Sequence, residues 1–350
     1  MLPRLLAILL LFAFSTAPSM SYPITPAPLW DLTKDSQLIV LADVVEVTKA
    51  PPLTPEATKD PNTIAEDVFR NATAHLSVRE TWKGEPLARL EVKFSDSLIC
   101  PAPPRYEEAK TVLAFLSKNE EGWETTALSY GTLYPRKEDV PHFRKLILQA
   151  VTLQLAREVS NNTVIKWHVD AASHAGTRWH GLYFLAPQSD ELHSYYDRRD
   201  KKRSKNRLTP DELSQIAEGF VDVPPTDRTL LMALAVLSEF PDESVDLAAV
   251  SAVEALLALE RPPWWLKDAF EQIFRRFGAH DSGRRLEELG EDFSAVSPIL
   301  QVLGDDFSEV PAEQIRAVWE QARNELGIPK ASPAKILEEE VWGVGSNTPS

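Results

Sequence analysis

The spacing of apolar residues changes once along this chain, from a period of two before Pro135 to a period of about 3.6 after it. Alternation is typical of strands, whereas apolar residues at i, i+3, i+4 and i+7 are typical of helices. The change predicts an α+β protein of two domains, an OB-like five-stranded β-barrel followed by an all-α domain. We place the barrel at residues 22–137 and the helical domain at residues 138–329.

Five segments of the first part have the alternation or the β-branched content of short strands. The predicted strands are residues 37–47, 73–81, 87–94, 111–116 and 123–133. Residues 49–61 carry four prolines and predict an exposed loop between the first two strands. Short strands with glycine and proline between them are typical of a small closed or half-closed barrel.

Two motifs of this region resemble those of a known family. The first is a "V-x-x-x-W-K-G" turn, which Trp82, Lys83 and Gly84 match. The second is a "C-x-x-x-x-Y-x-x-G-x-x-x-L-x-F" run, which Cys100, Tyr106, Leu113 and Phe115 approximate. Through them, residues 30–135 resemble the TIMP-like, netrin-type OB-fold domain of secreted proteins. The resemblance implies a barrel whose groove binds a partner more often than it catalyses a reaction. Trp82, Lys83 and Tyr106 are therefore candidate binding residues.

The chain also departs from that family. Ala109 stands where the family usually has glycine, and the chain has no cysteine near Tyr22. Animal metalloproteinase inhibitors of the superfamily chelate zinc through an N-terminal cysteine, so that mechanism cannot be carried over.

The first 21 residues have the layout of a cleavable secretory signal. Arg4 precedes an apolar run at residues 5–14, and small residues follow at Ala17, Ser19 and Ser21. A run of this length is too short to span a bilayer. We expect a secreted or periplasmic protein without a transmembrane anchor, cleaved after Ser19 or Ser21. Residues 330–350 are expected to be a partly disordered tail.

Charge and cysteine content exclude some classes of protein. The net charge is −15, and residues 208–350 hold 27 Asp and Glu against 11 Lys and Arg. Such an acidic half argues against nucleic-acid binding. Cys100 is the only cysteine, so no intramolecular disulfide can form. Its apolar flank favours an inert, buried thiol, with intermolecular pairing and a nucleophilic role as alternatives.

The second part reads as a series of amphipathic helices. They are predicted at residues 141–158, 209–220, 230–240, 247–259, 264–277 and 312–326. Thr209 to Glu212 form a capping box with Pro210 in the first turn. Gly278 and Gly327 are placed where glycine often ends a helix. A faint repeat between residues 237 and 274 is typical of HEAT-like pairs, although an irregular bundle would look similar.

Four of the seven histidines lie between residues 168 and 193. His168, Asp170, His174 and His180 are weak candidates for a metal site. His168 and His174 are six residues apart, so on one helix they would not face each other. We therefore expect surface or interhelical histidines, with neither metal nor cofactor. No nucleophile elbow or phosphate-binding loop occurs.

Two further segments could bind a partner. Residues 198–207 hold seven basic residues, among them Arg198, Arg199, Lys201 and Lys202. They could contact an anionic surface, or they could be a solvated loop beside acidic helices. Of Trp264 and Trp265, one is expected to pack in the core and the other could be an exposed contact residue.

These features favour a non-catalytic binding or scaffold protein of the periplasm or cell exterior, whose partner is a protein or an envelope component. Two alternatives stay open. One is an inhibitor of a secreted protease that acts through a barrel edge or loop. The other is a metal-dependent hydrolase that uses an assembled histidine site.

Overall fold

The computed structural model describes residues 26–50, 70–96, 102–186, 208–238, 240–263, 265–282 and 310–335. A short helix α1 (Leu29–Asp35) precedes the strands. The strands are β1 (Leu38–Lys49), β2 (Ala72–Lys83), β3 (Arg89–Phe94), β4 (Thr111–Asn119), β5 (Gly122–Thr125) and β6 (Thr132–Leu133). The predicted leader, Cys100, Trp264, the basic run at residues 198–207 and most of the predicted tail lie outside these ranges.

The strands form an OB-like barrel. Their order is β1-β2-β3-β5-β4, and β4 pairs again with β1 to close the ring. β3 and β5 are parallel, the other pairings are antiparallel, and β6 lies along β4. This confirms the predicted barrel.

Where β1 and β4 pair with each other, both are continuous apolar runs, because both of their faces are covered there. Val40 and Ala114 point into the barrel, where they pack with residues of β2 and β3. The alternate residues Ile39, Leu113 and Phe115 pack outside it, against α1 and the first helix that follows the barrel. A strand buried on both faces has no polar side to show, which is why its sequence lacks alternation.

The predicted fifth strand is wrong in its extent. β5 ends at Thr125, and a 3-10 turn (Leu128–Gly131) separates it from β6. Ala127 and Leu128 have φ values of 55° and 54°, which a strand cannot include. A Cβ at Gly131 would lie 2.0 Å from the carbonyl oxygen of Thr126, so only glycine fits this close turn.

Eight α-helices follow the barrel within the described residues. They are α2 (Val140–Leu155), α3 (Asn161–Ser173), α4 (Arg178–Leu185), α5 (Pro210–Asp222), α6 (Thr229–Val236), α7 (Glu243–Leu257), α8 (Leu266–Ser282) and α9 (Ala312–Glu325). The capping box is present at Thr209, and Gly327 ends α9 with φ 65°. The prediction that Gly278 ends a helix is wrong, since α8 continues to Ser282. Glycine keeps its backbone donor and acceptor, so a helix can pass through it at a cost of about 1 kcal/mol.

The later helices pack in a regular order. Helix α3 contacts α5, α5 contacts α7 and α7 contacts α9, while α4 contacts α6 and α6 contacts α8. Among the described residues these helices share one hydrophobic core.

A third hydrophobic cluster joins the two parts. It combines barrel residues such as Phe115 with Phe143 and Ile147 of α2, and with Trp167 of α3. Helix α2 therefore packs directly on the barrel, and the predicted boundary at residue 137 or 138 crosses a continuous hydrophobic contact.

Candidate functional site

Trp82, a predicted binding residue, lies inside the contact between the barrel and α2. The side chain is 5% exposed. Its indole N–H donates to Glu80 Oε2 over 2.9 Å, and the guanidinium of Arg144 on α2 lies 5.9 Å from the ring centroid. Arg144 also forms an ion pair with Glu80. Trp82 thus links β2 to α2 and does not offer its ring face to a partner.

Lys83 serves a similar internal purpose. Its ammonium group donates to the carbonyl oxygens of Thr33 over 2.5 Å and Lys34 over 3.3 Å, at the end of α1. Burial lowers the pKa of Lys83, and Asp35 partly opposes that shift. Gly84 follows with φ 89°, in contact with the backbone of Gln37. The W-K-G turn therefore holds α1 on the barrel.

Two other predicted binding residues are core residues. Tyr106 is 7% exposed, and its hydroxyl shares a 2.7 Å hydrogen bond with Thr125 Oγ1. Burial raises the pKa of Tyr106, with the Thr125 hydrogen bond opposing the shift. Trp265 packs in the helical core.

His168 and His180 lie in an aromatic cluster between α3, α4 and α1. The ring of His168 stacks on Phe184 with 3.9 Å between centroids, and Trp30 and Trp167 flank it. His180 Nδ1 accepts a hydrogen bond of 3.0 Å from the backbone N–H of Leu29. Burial lowers the pKa of His180 to about 3, so the ring is neutral at pH 7. Both rings are interhelical, as expected.

His174 lies apart from that cluster, at the C-terminal end of α3. Its ring stacks on His142 of α2 with 4.1 Å between centroids and 17° between planes. His174 Nε2 is 3.8 Å from Asp139 Oδ1, and Asp139 is buried beside Gly176. Arg136 holds the Asp139 carboxylate with two hydrogen bonds, of 2.7 and 3.1 Å. We call Asp139, His142 and His174 the junction cluster.

Asp170 borders this cluster and pairs with Lys145 over 2.6 Å. Burial lowers the pKa of His142 to about 4, helped by His174 and Lys145 and opposed by Asp170 and Asp139. Burial also lowers the pKa of His174, against Asp139. Across the described ranges, no group of three or more His, Cys, Asp or Glu side chains could hold a metal ion.

A second polar arrangement, of exposed and half-buried side chains, lies on the outer face of β1, β2 and β3. Cross-strand pairing aligns three rows there: Asp43, Ser77 and Arg89; Glu46, His75 and Glu91; Thr48, Thr73 and Lys93. We call these nine residues the charged face. Each row runs across three rigid strands, so the spacing of its side chains is set by the sheet and not by a loop.

Hydrogen bonds fix part of the charged face. Arg79 donates to Asp43 over 2.7 Å and lowers its pKa, helped by a hydrogen bond from Thr111. His75 Nδ1 is 3.4 Å from Glu91 Oε1, and its Nε2 is 3.2 Å from Thr48 Oγ1.

Other charges of the face lack a partner within the described residues. Arg89, Lys93 and Glu46 form neither an ion pair nor a side-chain hydrogen bond there.

Sequence reasoning missed both of these arrangements. Alternation in residues 73–81 and 87–94 places the polar residues outside, but only the register aligns Ser77 with Arg89. Asp139 and His142 carry a local signal, because they are three residues apart at a helix start. Their neighbour His174 is brought to them by the tertiary fold.

None of the described helices is both long and apolar enough to cross a bilayer. The chain matches no known protein-family model and no curated protein sequence.

Proposed function

We propose that this is an exported, non-catalytic binding protein that holds a protein or cell-envelope component on the charged face of its barrel. The observation that carries the proposal is the contrast between two parts of the barrel's outer face. The part with Ile39 and Phe115 is covered by α1 and α2, whereas Glu46, Thr48, Arg89 and Glu91 of the charged face are exposed.

The chemistry of the charged face suits a partner of mixed charge. Arg89 and Lys93 lie on one strand with Glu91 between them, so cations and carboxylates alternate along it. Such a pattern favours recognition by complementary ion pairs, which give specificity and fast association more than they give affinity. Binding should therefore weaken as salt is raised.

The experiment uses the full mature chain as bait for proteins of the exported fraction. The variant R89E/K93E reverses two cations of the charged face. The control R157E/K166E makes the same charge change at exposed positions of the helical part. A protein retained by the wild type and the control, but lost with R89E/K93E, supports the proposal.

Two results would contradict it. If both variants capture the protein equally, the contact lies outside Arg89 and Lys93. If the wild type captures no specific protein at low salt, the proposed binding function is wrong. If the captured protein is a protease that the chain inhibits, the inhibitor hypothesis replaces the scaffold one. Export itself is tested by the intact mass of the secreted chain. Cleavage after Ser19 or Ser21 should give a chain that begins at Met20 or Tyr22.

A further inference from the structure

The junction cluster joins two elements that are far apart in the chain. His142 lies in the first turn of α2, which covers the barrel, and His174 lies at the C-terminal cap of α3. Their rings are nearly parallel, with 4.1 Å between centroids. Contact between these two rings is thus part of what holds the start of α2 on the end of α3.

The cluster has a proton-binding capacity that the folded protein leaves unused. His142 Nε2 and His174 Nδ1 are buried nitrogen atoms with no hydrogen-bond partner in the described part of the chain. A neutral imidazole has one donor and one acceptor nitrogen, and each is costly to bury unpaired. Protonation would turn the acceptor nitrogen into a second donor and add a positive charge, which is costlier to bury without a partner than a neutral group.

The charges around the rings do not favour protonation of either histidine. Arg136 precedes α2, Lys145 lies on α2 and Arg178 begins α4, and each disfavours a positive charge on one or both rings. The two carboxylates that would favour it are already engaged, Asp139 by Arg136 and Asp170 by Lys145. Protonation of either ring therefore weakens the stack, because the added charge lies near cations and the neighbouring carboxylates already pair with Arg136 and Lys145.

We propose that the His142–His174 stack is a proton-sensitive latch, which keeps the start of α2 on α3 at neutral pH and releases it in acid. Release exposes the hydrophobic contact beneath α2, where Phe143 and Ile147 meet the barrel. An exported protein that enters an acidic compartment would thereby loosen at one defined place. This inference does not depend on the charged face or on any partner.

The sign of the effect follows from the pKa shifts. Both histidines have a lower pKa in the folded chain than the usual 6.5, and that of His142 is about 4. The unfolded or released chain therefore binds more protons, so the closed latch is fully favoured above about pH 6.5 and is lost as the pH falls towards 4.

The first experiment reads each ring directly in the unmodified protein. Hydrogen–deuterium exchange at the imidazole Cε1 position, followed by mass spectrometry, gives the titration midpoint of each histidine. We expect His142 to titrate below pH 5 and His174 below the usual value. A midpoint near 6.5 for His142 would overturn the proposal, and no variant has to fold for this test.

The second experiment follows release. Backbone exchange protection over residues 142–147 should fall about tenfold or more between pH 7 and pH 4.5, in excess of any change in α7. The variant H142F/H174F keeps two stacked rings but cannot titrate, so its protection should stay constant. The control E158Q removes an exposed carboxylate just beyond the end of α2 and should behave as the wild type. Equal loss in H142F/H174F and wild type would overturn the latch.

Discussion

The ammonium group of Lys83 donates a 2.5 Å hydrogen bond to the carbonyl oxygen of Thr33, at the C-terminal end of α1. The same device recurs three times among the described helices, with arginine as the donor. Arg178 donates to the carbonyl oxygens of Gly219 and Val223. Arg276 donates to those of Leu237 and Phe240. Arg316 donates to those of Leu257 and Leu259. Each donor reaches carbonyls at or just beyond the C-terminal end of a helix, where its charge suits the negative end of the helix dipole.

Replacing Lys83 by methionine should destabilise the protein by about 1 kcal/mol, because it removes a charged donor from a partly exposed helix end. The apolar stem of the side chain is kept, so packing changes little. Urea unfolding at pH 7 measures the effect. The control Lys137→Met removes an exposed lysine and should change the free energy of unfolding by less than about 0.5 kcal/mol. Equal effects of the two variants would show that the contact with Thr33 contributes nothing.

The turn after Lys83 requires glycine for two separable reasons. Gly84 has φ 89°, and a Cβ there would lie 2.7 Å from the carbonyl oxygen of Gln37. Gly122 has φ 129°, but its Cβ would meet nothing within 4 Å. Gly122→Ala should therefore cost only conformational strain, about 1–2 kcal/mol, and Gly84→Ala should cost more because it adds a clash. Thermal unfolding of the two variants decides, and a larger loss for Gly122→Ala would refute the role given to Gln37.

Ala109 shows how far the sequence could be read. The backbone of Ala109 has φ 63°, a conformation that favours glycine. Its N–H donates to the carbonyl oxygen of Val44 over 2.9 Å, which fixes the turn before β4. Neither composition nor periodicity predicts this backbone conformation.

Ala109→Gly should accordingly stabilise the protein by about 0.5 kcal/mol. Relief of left-handed strain, about 1 kcal/mol, is partly offset by the greater freedom of glycine in the unfolded chain. Denaturant midpoints of wild type and variant provide the measurement, with Ala88→Gly as a control at an exposed position before β3. Destabilisation equal to that of the control would mean that Ala109 is not strained.

The strands were predictable because their side chains alternate between the two faces of the sheet, and apolar and polar residues alternate with them in the sequence. The boundaries of β1 and β2 fall within two residues of prediction, whereas the division of β5 from β6 depends on the left-handed residues Ala127 and Leu128. No local pattern announces such residues when they are not glycine. The same holds for Trp82, whose motif was visible but whose burial under α2 was not.

Candidate sites were harder to predict, because long-range contacts assemble them. His174 was singled out with His168, yet its neighbour is His142, from another helix. An interval of six residues within one segment said nothing about this partner. Arg89 and Lys93 drew no attention in the sequence, because their importance depends on which strand lies beside β3.

Arg276 and Asp246 form an ion pair in which both side chains are at most 4% exposed. Asp246→Ala should cost about 3–5 kcal/mol, since it leaves the Arg276 charge buried without its carboxylate. The double variant Asp246→Leu/Arg276→Met should lose less than the sum of the single changes. A double-mutant cycle by urea unfolding tests this coupling. The exposed pair Glu271 and Arg275 serves as the control and should couple by less than about 1 kcal/mol.

His180 provides the sharpest pH prediction outside the junction cluster. Its Nδ1 must be unprotonated to accept the hydrogen bond from Leu29, and burial lowers its pKa to about 3. The unfolded chain, with a pKa near 6.5, binds the proton first, so stability present above pH 6.5 is lost as the pH falls towards 3.

The variant His180→Asn removes this titration but keeps an acceptor near Nδ1. At pH 7 it should be less stable than wild type by about 1–2 kcal/mol, because the ring's packing against Trp179 and Phe143 is lost. At pH 4 the wild type alone carries a protonation penalty on the order of 3 kcal/mol, so the difference should reverse. Urea unfolding at both pH values measures it, and a difference independent of pH would show that His180 does not titrate as its burial requires.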